Sequence, residues 1–252
     1  MAGDVDLILP YKRSRWEDIE VKYSLRSIEK HLKGYRNLFI IGDKPKTLKD
    51  ASYIHIPFKD DDRRVYKEKN IFEKVKLAFE YPGISETALY INDDHFLNSD
   101  YDAETFPYYY GDWPVKTDMY AETIANTKNT LLSYNSFASS VVGADLTSPV
   151  ESFLFYDVHC PMVIEKYLFV FAMEQSNWDT KAGYCMKSIY GNMMVDASIY
   201  YPDLKIRQQY PIHELHSMVK DRLWFSTDDS ARSDDTEKFL KQLFPNKSKY
   251  EV

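Results

Sequence analysis

Residues 88–97, Ala88-Leu89-Tyr90-Ile91-Asn92-Asp93-Asp94-His95-Phe96-Leu97, most narrow what this chain can fold into. Ala88 to Ile91 is an apolar run suited to a strand covered on both faces. It stops on Asn92, Asp93, Asp94 and His95 before Phe96 and Leu97 return. A covered strand carrying polar groups at its carboxyl end belongs to an open α/β sheet, where ligands bind beyond the strand ends. Adjacent carboxylates repel unless a proton or a cation sits between them. Mg²⁺ and Mn²⁺ take oxygen ligands and bridge phosphates. The run therefore predicts a divalent-metal site that holds a phosphorylated ligand. A turn with a helix N-cap is the competing reading of Asp93-Asp94. Strand side chains alternate, pairing Asp93 with His95 and Asn92 with Asp94, so both aspartates reach one metal only where the strand breaks.

The stretches before this run supply the rest of such a sheet. Residues 5–9 predict a buried first strand ended by Pro10, followed by the basic loop Tyr11-Lys12-Arg13-Ser14-Arg15. That loop can hold a phosphate or a uracil through backbone amides and Arg13 or Arg15, or it is simply a solvated turn. Residues 16–33 have the apolar spacing of a helix, with Gly34 as its stop. Residues 38–41 predict a second strand closed by Gly42-Asp43, where Asp43 is placed to accept a ribose hydroxyl or to form a turn. A short strand over 53–58, the charge run Asp60-Asp61-Asp62-Arg63-Arg64 and a helix over 66–81 lead into the acidic strand. The order β-α-β-β-α-β predicts an α/β fold with a mostly parallel central sheet flanked by helices.

Bulk properties close off several classes. A chain of 252 residues, 44% hydrophobic and 28% charged, can bury a sizeable core in one domain. A net charge of −7 argues against a broad nucleic-acid footprint. Cys160 and Cys185 are too few for a disulfide framework, and no apolar segment is long enough to span a bilayer. Met1 to Asp6 is no signal peptide, so a cytoplasmic protein is expected. The 21 tyrosines suit sugar or base stacking.

Tyr23-Ser24-Leu25-Arg26-Ser27-Ile28-Glu29-Lys30, Asn37-Leu38-Phe39-Ile40-Ile41-Gly42-Asp43 and Tyr90-Ile91-Asn92-Asp93-Asp94-His95-Phe96 resemble three successive segments of the Stealth sugar-phosphate transferases. His159-Cys160-Pro161 resembles a later one. The broader arrangement is similar to GT-A-type (Rossmann-like) glycosyltransferases, in which an Asp-x-Asp or Asp-x-His motif ends a central strand; here that motif is Asp93-Asp94-His95. The likeness covers roughly the first 100 residues well and the rest thinly. It implies a nucleotide-sugar-binding half over 1–100 and an acceptor-binding half over 101–252, with Mn²⁺ or Mg²⁺ as cofactor. It also implies that Lys69 and Asn70 lie near the donor diphosphate, beside Pro10, Tyr11, Arg13, Asp43, Asn92 and Asp93. A late histidine often completes the metal shell in such enzymes, which points to His213 or His216 beside Asp93, Asp94 and His95. Where Stealth proteins carry Trp-Val-Asp-Gly, this chain has Leu9-Pro10-Tyr11-Lys12-Arg13, closer to a glycosyltransferase's donor loop.

In the second half, residues 152–156 predict a strand that ends on Asp157 and His159, and 162–173 predict a helix after Pro161. Asp157 and His159 share a face at that strand end, the place for a general base acting on an acceptor hydroxyl, or for a helix cap and a core histidine. Residues 116–146 read as an acceptor-side loop region, 187–197 as a helix, 206–210 and 222–226 as strands, and 228–244 as an acidic start with an amphipathic helix. His213 and His216 have the spacing that shares one helix face. The tail over 245–252 is polar and expected to fray.

The expected function is transfer of a sugar from a nucleoside diphosphate sugar, with UDP favoured, to a hydroxyl on a carbohydrate or other acceptor. Sugar-phosphate transfer, glycosylation of a modified DNA base and sugar binding without catalysis are the alternatives.

Overall fold

The computed structural model describes residues 4–14, 16–63, 66–112, 154–176 and 185–252. The predicted acceptor-side loop over 116–146 lies outside them, as does Arg15. A central sheet runs in the order β4 (Ile54–Pro57), β3 (Tyr35–Gly42), β1 (Val5–Tyr11), β5 (Thr87–Tyr90) and β9 (Met162–Glu165). The first four are parallel and β9 is an antiparallel edge. Crossovers through α1 (Ile19–His31) and α2 (Lys67–Glu80) make the parallel pairs possible. Period-two alternation decides which face each helix covers. Leu7 and Leu9 of β1, Leu38 and Ile40 of β3 and Leu89 of β5 pack with Val21, Leu25 and Ile28 of α1. Ile8, Phe39, Ile41, Ala88 and Tyr90 point the other way, onto Phe72, Val75, Ala78 and Phe79 of α2.

Pro10 does not end β1, which continues to Tyr11. Ile8 accepts the Ile91 N–H on the β5 side and Tyr11 accepts the Asp43 N–H on the β3 side. Pro10 therefore faces β5 where that strand has already ended, and its missing donor leaves no ladder bond unmade. Gly42 closes β3 at φ +125°, and a Cβ there would lie 2.0 Å from the Tyr11 carbonyl oxygen. Only glycine allows β1 and β3 to end this close together.

A second layer holds β6 (His95–Leu97), which pairs antiparallel with β12 (Trp224–Thr227), itself parallel to β11 (Lys205–Ile206). Phe96 and Phe225 stack there, with Leu215 of α5 (Ile212–Val219) and Phe239 and Leu240 of α6 (Asp234–Leu243) around them. Two-residue pairs join β2 (Leu32–Lys33) to β7 (Tyr101–Asp102) and β8 (Tyr109–Tyr110) to β10 (Ile199–Tyr200). Helices α3 (Lys166–Gln175) and α4 (Met186–Met194) complete the described elements. None of the described helices is long and apolar enough to cross a membrane.

Three expectations are corrected. Met162 to Glu165 is a strand, and helix begins only at Lys166. Met162 and Ile164 enter one core while Val163 enters the other, a period of two that an uninterrupted apolar run hides. Within 152–156 the described residues form only one bridge, Phe155 to Gly111. The Leu154 and Tyr156 backbone groups are taken instead by Asn192 and Ser188 of α4. The tail is not frayed: Glu251 is buried in a two-pronged ion pair with Arg26 at 2.7 Å, and Tyr250 accepts the Lys49 N–H.

Candidate functional site

From β1 the sheet grows through β3 to β4 on one side, and β5 lies on the other. The chain reverses direction of growth between β1 and β5, and the crevice beyond their carboxyl ends is where open α/β sheets bind ligands. The loop after β1 lies at those carboxyl ends. Asp43 is exposed and its Oδ2 accepts the Arg13 N–H at 2.9 Å, tying the ends of β1 and β3 together. The Arg13 guanidinium bonds the Lys44 carbonyl at 2.5 Å and lies 3.4 Å from Asp18. Asp18 is buried at φ 73°, beside Glu17 at φ 50°. It accepts from the Tyr11 hydroxyl and from the Lys46 and Thr47 amides. Two left-handed non-glycine residues in succession store strain, which these contacts hold in place. Beneath the loop, buried Lys74 bonds the Tyr11 carbonyl at 3.1 Å and Asp60 at 2.8 Å. Pro10 and Tyr11 are thus the buried frame of the loop, and Arg13 is its half-exposed cation.

On α2, Asn70 spends its amide on the Asp61 backbone, accepting at 3.1 Å and donating at 2.9 Å, so it latches the charged loop. Lys69 is half-buried with Glu73 at 3.8 Å.

The acidic run breaks its strand. Beyond Ile91, Asn92 accepts the His95 N–H at 3.3 Å, and Asp93 and Asp94 occupy the turn between β5 and β6. Both carboxylates therefore leave the chain beside each other at the end of the central strand. Asn92 is fixed from two sides: its Oδ1 accepts from the Tyr90 hydroxyl at 2.5 Å and its N–H donates to His95 Nδ1 at 3.3 Å.

Around Asp94 stand groups from three other parts of the chain. Lys205 of β11 donates to Oδ2 at 2.9 Å. Among the described residues Oδ1 is buried without a hydrogen-bond partner, 3.8 Å from His95 Nε2, which is likewise buried without one. Burial favours the neutral acid, but the Lys205 ammonium outweighs it and holds Asp94 ionised, well below the usual carboxylate range. Asp93 is pushed the other way, by burial and then by repulsion from Glu20 and Asp94. Glu20 of α1 accepts from Thr227 at 2.9 Å and Ser14 at 3.0 Å, and burial followed by Asp94 raises its pKa to about 7. Carboxylates whose ionisation is opposed by one another's charge are the electrostatic signature of a site built for added positive charge.

His95 does not fit as a ligand in this arrangement. Burial holds it neutral, and its Nδ1 accepts the Asn92 N–H, so Nε2 carries the proton and faces Asp94 as a donor. His213 is exposed on α5, and His216 bonds Gln242 at 2.8 Å and packs on Phe239. Among the described residues neither bonds the acidic turn, and no three His, Cys, Asp or Glu side chains converge on a metal cage. Asp93 and Asp94 remain, and no described residue hydrogen-bonds Asp94 Oδ1. Two carboxylates fit a cation such as Mg²⁺ that keeps waters and takes its other ligands from substrate phosphates.

Asp157 and His159 separate. Asp157 Oδ2 accepts the Ser188 N–H at 3.2 Å and hydroxyl at 2.5 Å in the first turn of α4, the cap geometry. His159 instead sits edge-on to His95, ring centres 6.3 Å apart, and bonds Asp203 through both its backbone N–H and its Nδ1.

Glu20, Asp203 and Lys205 were not singled out by the sequence. Their one local signal is that Asp203 and Lys205 are two apart in an extended stretch and so share a face. No family model matches the chain, and no curated protein matches it.

Proposed function

We propose that this chain is a glycosyltransferase of GT-A-like architecture, moving a sugar from a nucleoside diphosphate sugar to a hydroxyl acceptor with a divalent cation. The observation that carries the reading is the Asp93-Asp94 turn at the sheet's switch point, with a buried Asp94 oxygen that no described residue hydrogen-bonds. When bound, Mn²⁺ or Mg²⁺ would neutralise charge on the leaving diphosphate. Asp93 and Asp94 would hold that cation, and the braced β1 loop would set Arg13 against the phosphates. Lys205 keeps Asp94 ionised and aimed, and Asp43 and Asp18 keep the loop in one shape. A UDP donor is favoured; the overall charge of −7 disfavours a nucleic-acid acceptor.

A thermal-shift panel of UDP-, GDP- and dTDP-sugars with and without Mn²⁺ tests this. A ligand at a hundredfold excess over its Kd contributes about 2.7 kcal/mol, a rise of roughly 5–10 °C for a chain this long. The rise is expected for one base, only with Mn²⁺, and is lost in Asp94→Asn. Metal-independent binding that survives Asp94→Asn contradicts the reading and favours a sugar-binding module. Mass spectrometry of the product separates sugar transfer from sugar-phosphate transfer.

A further inference from the structure

Transfer to a hydroxyl raises the question of which group takes its proton. Asp157 is committed to the first turn of α4. His159 is held in another way. Its backbone N–H donates to Asp203 Oδ1 at 3.1 Å, and its Nδ1 lies 2.5 Å from Oδ2. An ionised carboxylate only accepts, so Nδ1 carries the hydrogen and Nε2 keeps the lone pair. The His159 side chain is 24% exposed.

The surroundings make this orientation rigid. A Cβ on Gly111 would come within 2.7 Å of Val158 Cγ1 and 4.0 Å of the Asp203 nitrogen, so the chain before His159 and the chain at Asp203 are pressed against one glycine. Two residues beyond Asp203, on the same face of the stretch, Lys205 holds Asp94 Oδ2 at 2.9 Å. One short segment thus fixes both the imidazole and the acidic turn. The edge-on contact of His159 with His95, the residue after Asp94, brings the two together.

We infer that Asp203 is a positioning residue that presents His159 Nε2 as the base for the acceptor hydroxyl, and that the transfer inverts the anomeric centre. This rests on the donor reading above. The acceptor O–H gives its proton to Nε2 while its oxygen bonds the anomeric carbon. The bond from that carbon to the diphosphate oxygen breaks, and its electron pair leaves with the nucleoside diphosphate. Asp203 balances the imidazolium until its proton passes to water. A base on the face opposite the leaving group activates a single displacement, which inverts.

Water can serve as the acceptor, so the test needs only donors: UDP-α-glucose, UDP-α-N-acetylglucosamine and GDP-α-mannose with Mn²⁺. Proton NMR before mutarotation reads the anomer released, and the β anomer is expected first. Asp203→Asn still accepts the His159 N–H, but its amide would donate to Nδ1 and move the ring proton to Nε2. Hydrolysis should then slow by about 10²–10⁴-fold, the range for general-base catalysis, with the donor's thermal shift unchanged. Nitrogen-15 NMR should show Nδ1–H in the wild type and Nε2–H in the variant. An α anomer released first, an Asp203→Asn rate equal to wild type, or a wild-type Nε2–H would each overturn the inference while leaving donor binding in place. No thermal shift and no sugar release by the wild type would overturn the donor reading and this inference with it.

Discussion

Lys205 ties the second half of the chain to the acidic turn. It donates to Asp94 across 111 residues of sequence, both partners about 15% exposed. Losing a charged hydrogen bond of this kind costs about 1.5–3 kcal/mol. It would also leave Asp93, Asp94 and Glu20 without their lysine. Lys205→Met is therefore expected to lower Tm in the absence of metal, and Mn²⁺ alone should then stabilise the variant more than the wild type. Differential scanning fluorimetry without nucleotide reads both effects. An equal response of the two proteins to Mn²⁺ would show that Lys205 and the cation do not share Asp94. Asp93 and Asp94 were legible because an apolar strand stopping on carboxylates is a local pattern. Lys205, Asp203 and Glu20 were not, since their meaning comes from contacts made only after the chain has folded. His213-Glu214-Leu215-His216 shows the opposite failure: the spacing on one helix face holds, but Gln242 and Phe239 engage His216.

At the scale of elements, the opposite end of the sheet from the site is clamped by Asp6, wholly buried at the start of β1. Its carboxylate accepts from Arg36 at 3.0 and 2.6 Å, from the Asn37 amide at 3.0 Å and from the Ser85 amide at 2.8 Å. This joins β1 and β3 to the loop before β5. Burial raises its pKa, but Arg36 and the two amides outweigh that and hold it below the ordinary 3.8. A carboxylate with a lowered folded pKa contributes stability above its unfolded pKa and loses it as pH falls. The wild type should thus lose stability as pH drops below about 4. Asp6→Asn should be less stable at pH 7 by at least about 2 kcal/mol, and its loss of stability on acidification should be shallower. Urea unfolding at the two pH values measures this; parallel curves would contradict it. The strands of this sheet were readable because burial on both faces leaves continuous apolar runs. Met162 to Glu165 was misread as helix because such a run carries no visible period, and only its position beside β5 makes it a strand.

For the molecule as a whole, the parallel sheet determines where the proposed site lies. Parallel strands joined by α1 and α2 bring the carboxyl ends of β1, β3 and β5 to one edge, and the switch point of the sheet falls between β1 and β5. That much followed from the order of elements in the first 100 residues. The way the later chain reaches the acidic turn did not, because Lys205 and Thr227 arrive on β11 and β12, which join β6 through β12, and Asp203 lies just before β11. The proposed function turns on the Asp93-Asp94 turn holding a divalent cation together with a donor's phosphates. Paramagnetic broadening of amide resonances by Mn²⁺, measured with and without UDP, tests it most directly. With UDP present, the amides of Asn92 to His95 and of Lys12 to Ser14 should broaden first, and without UDP the effect at the same Mn²⁺ concentration should be much weaker. Broadening confined to exposed acidic stretches such as Asp60 to Asp62, unchanged by UDP, would contradict it.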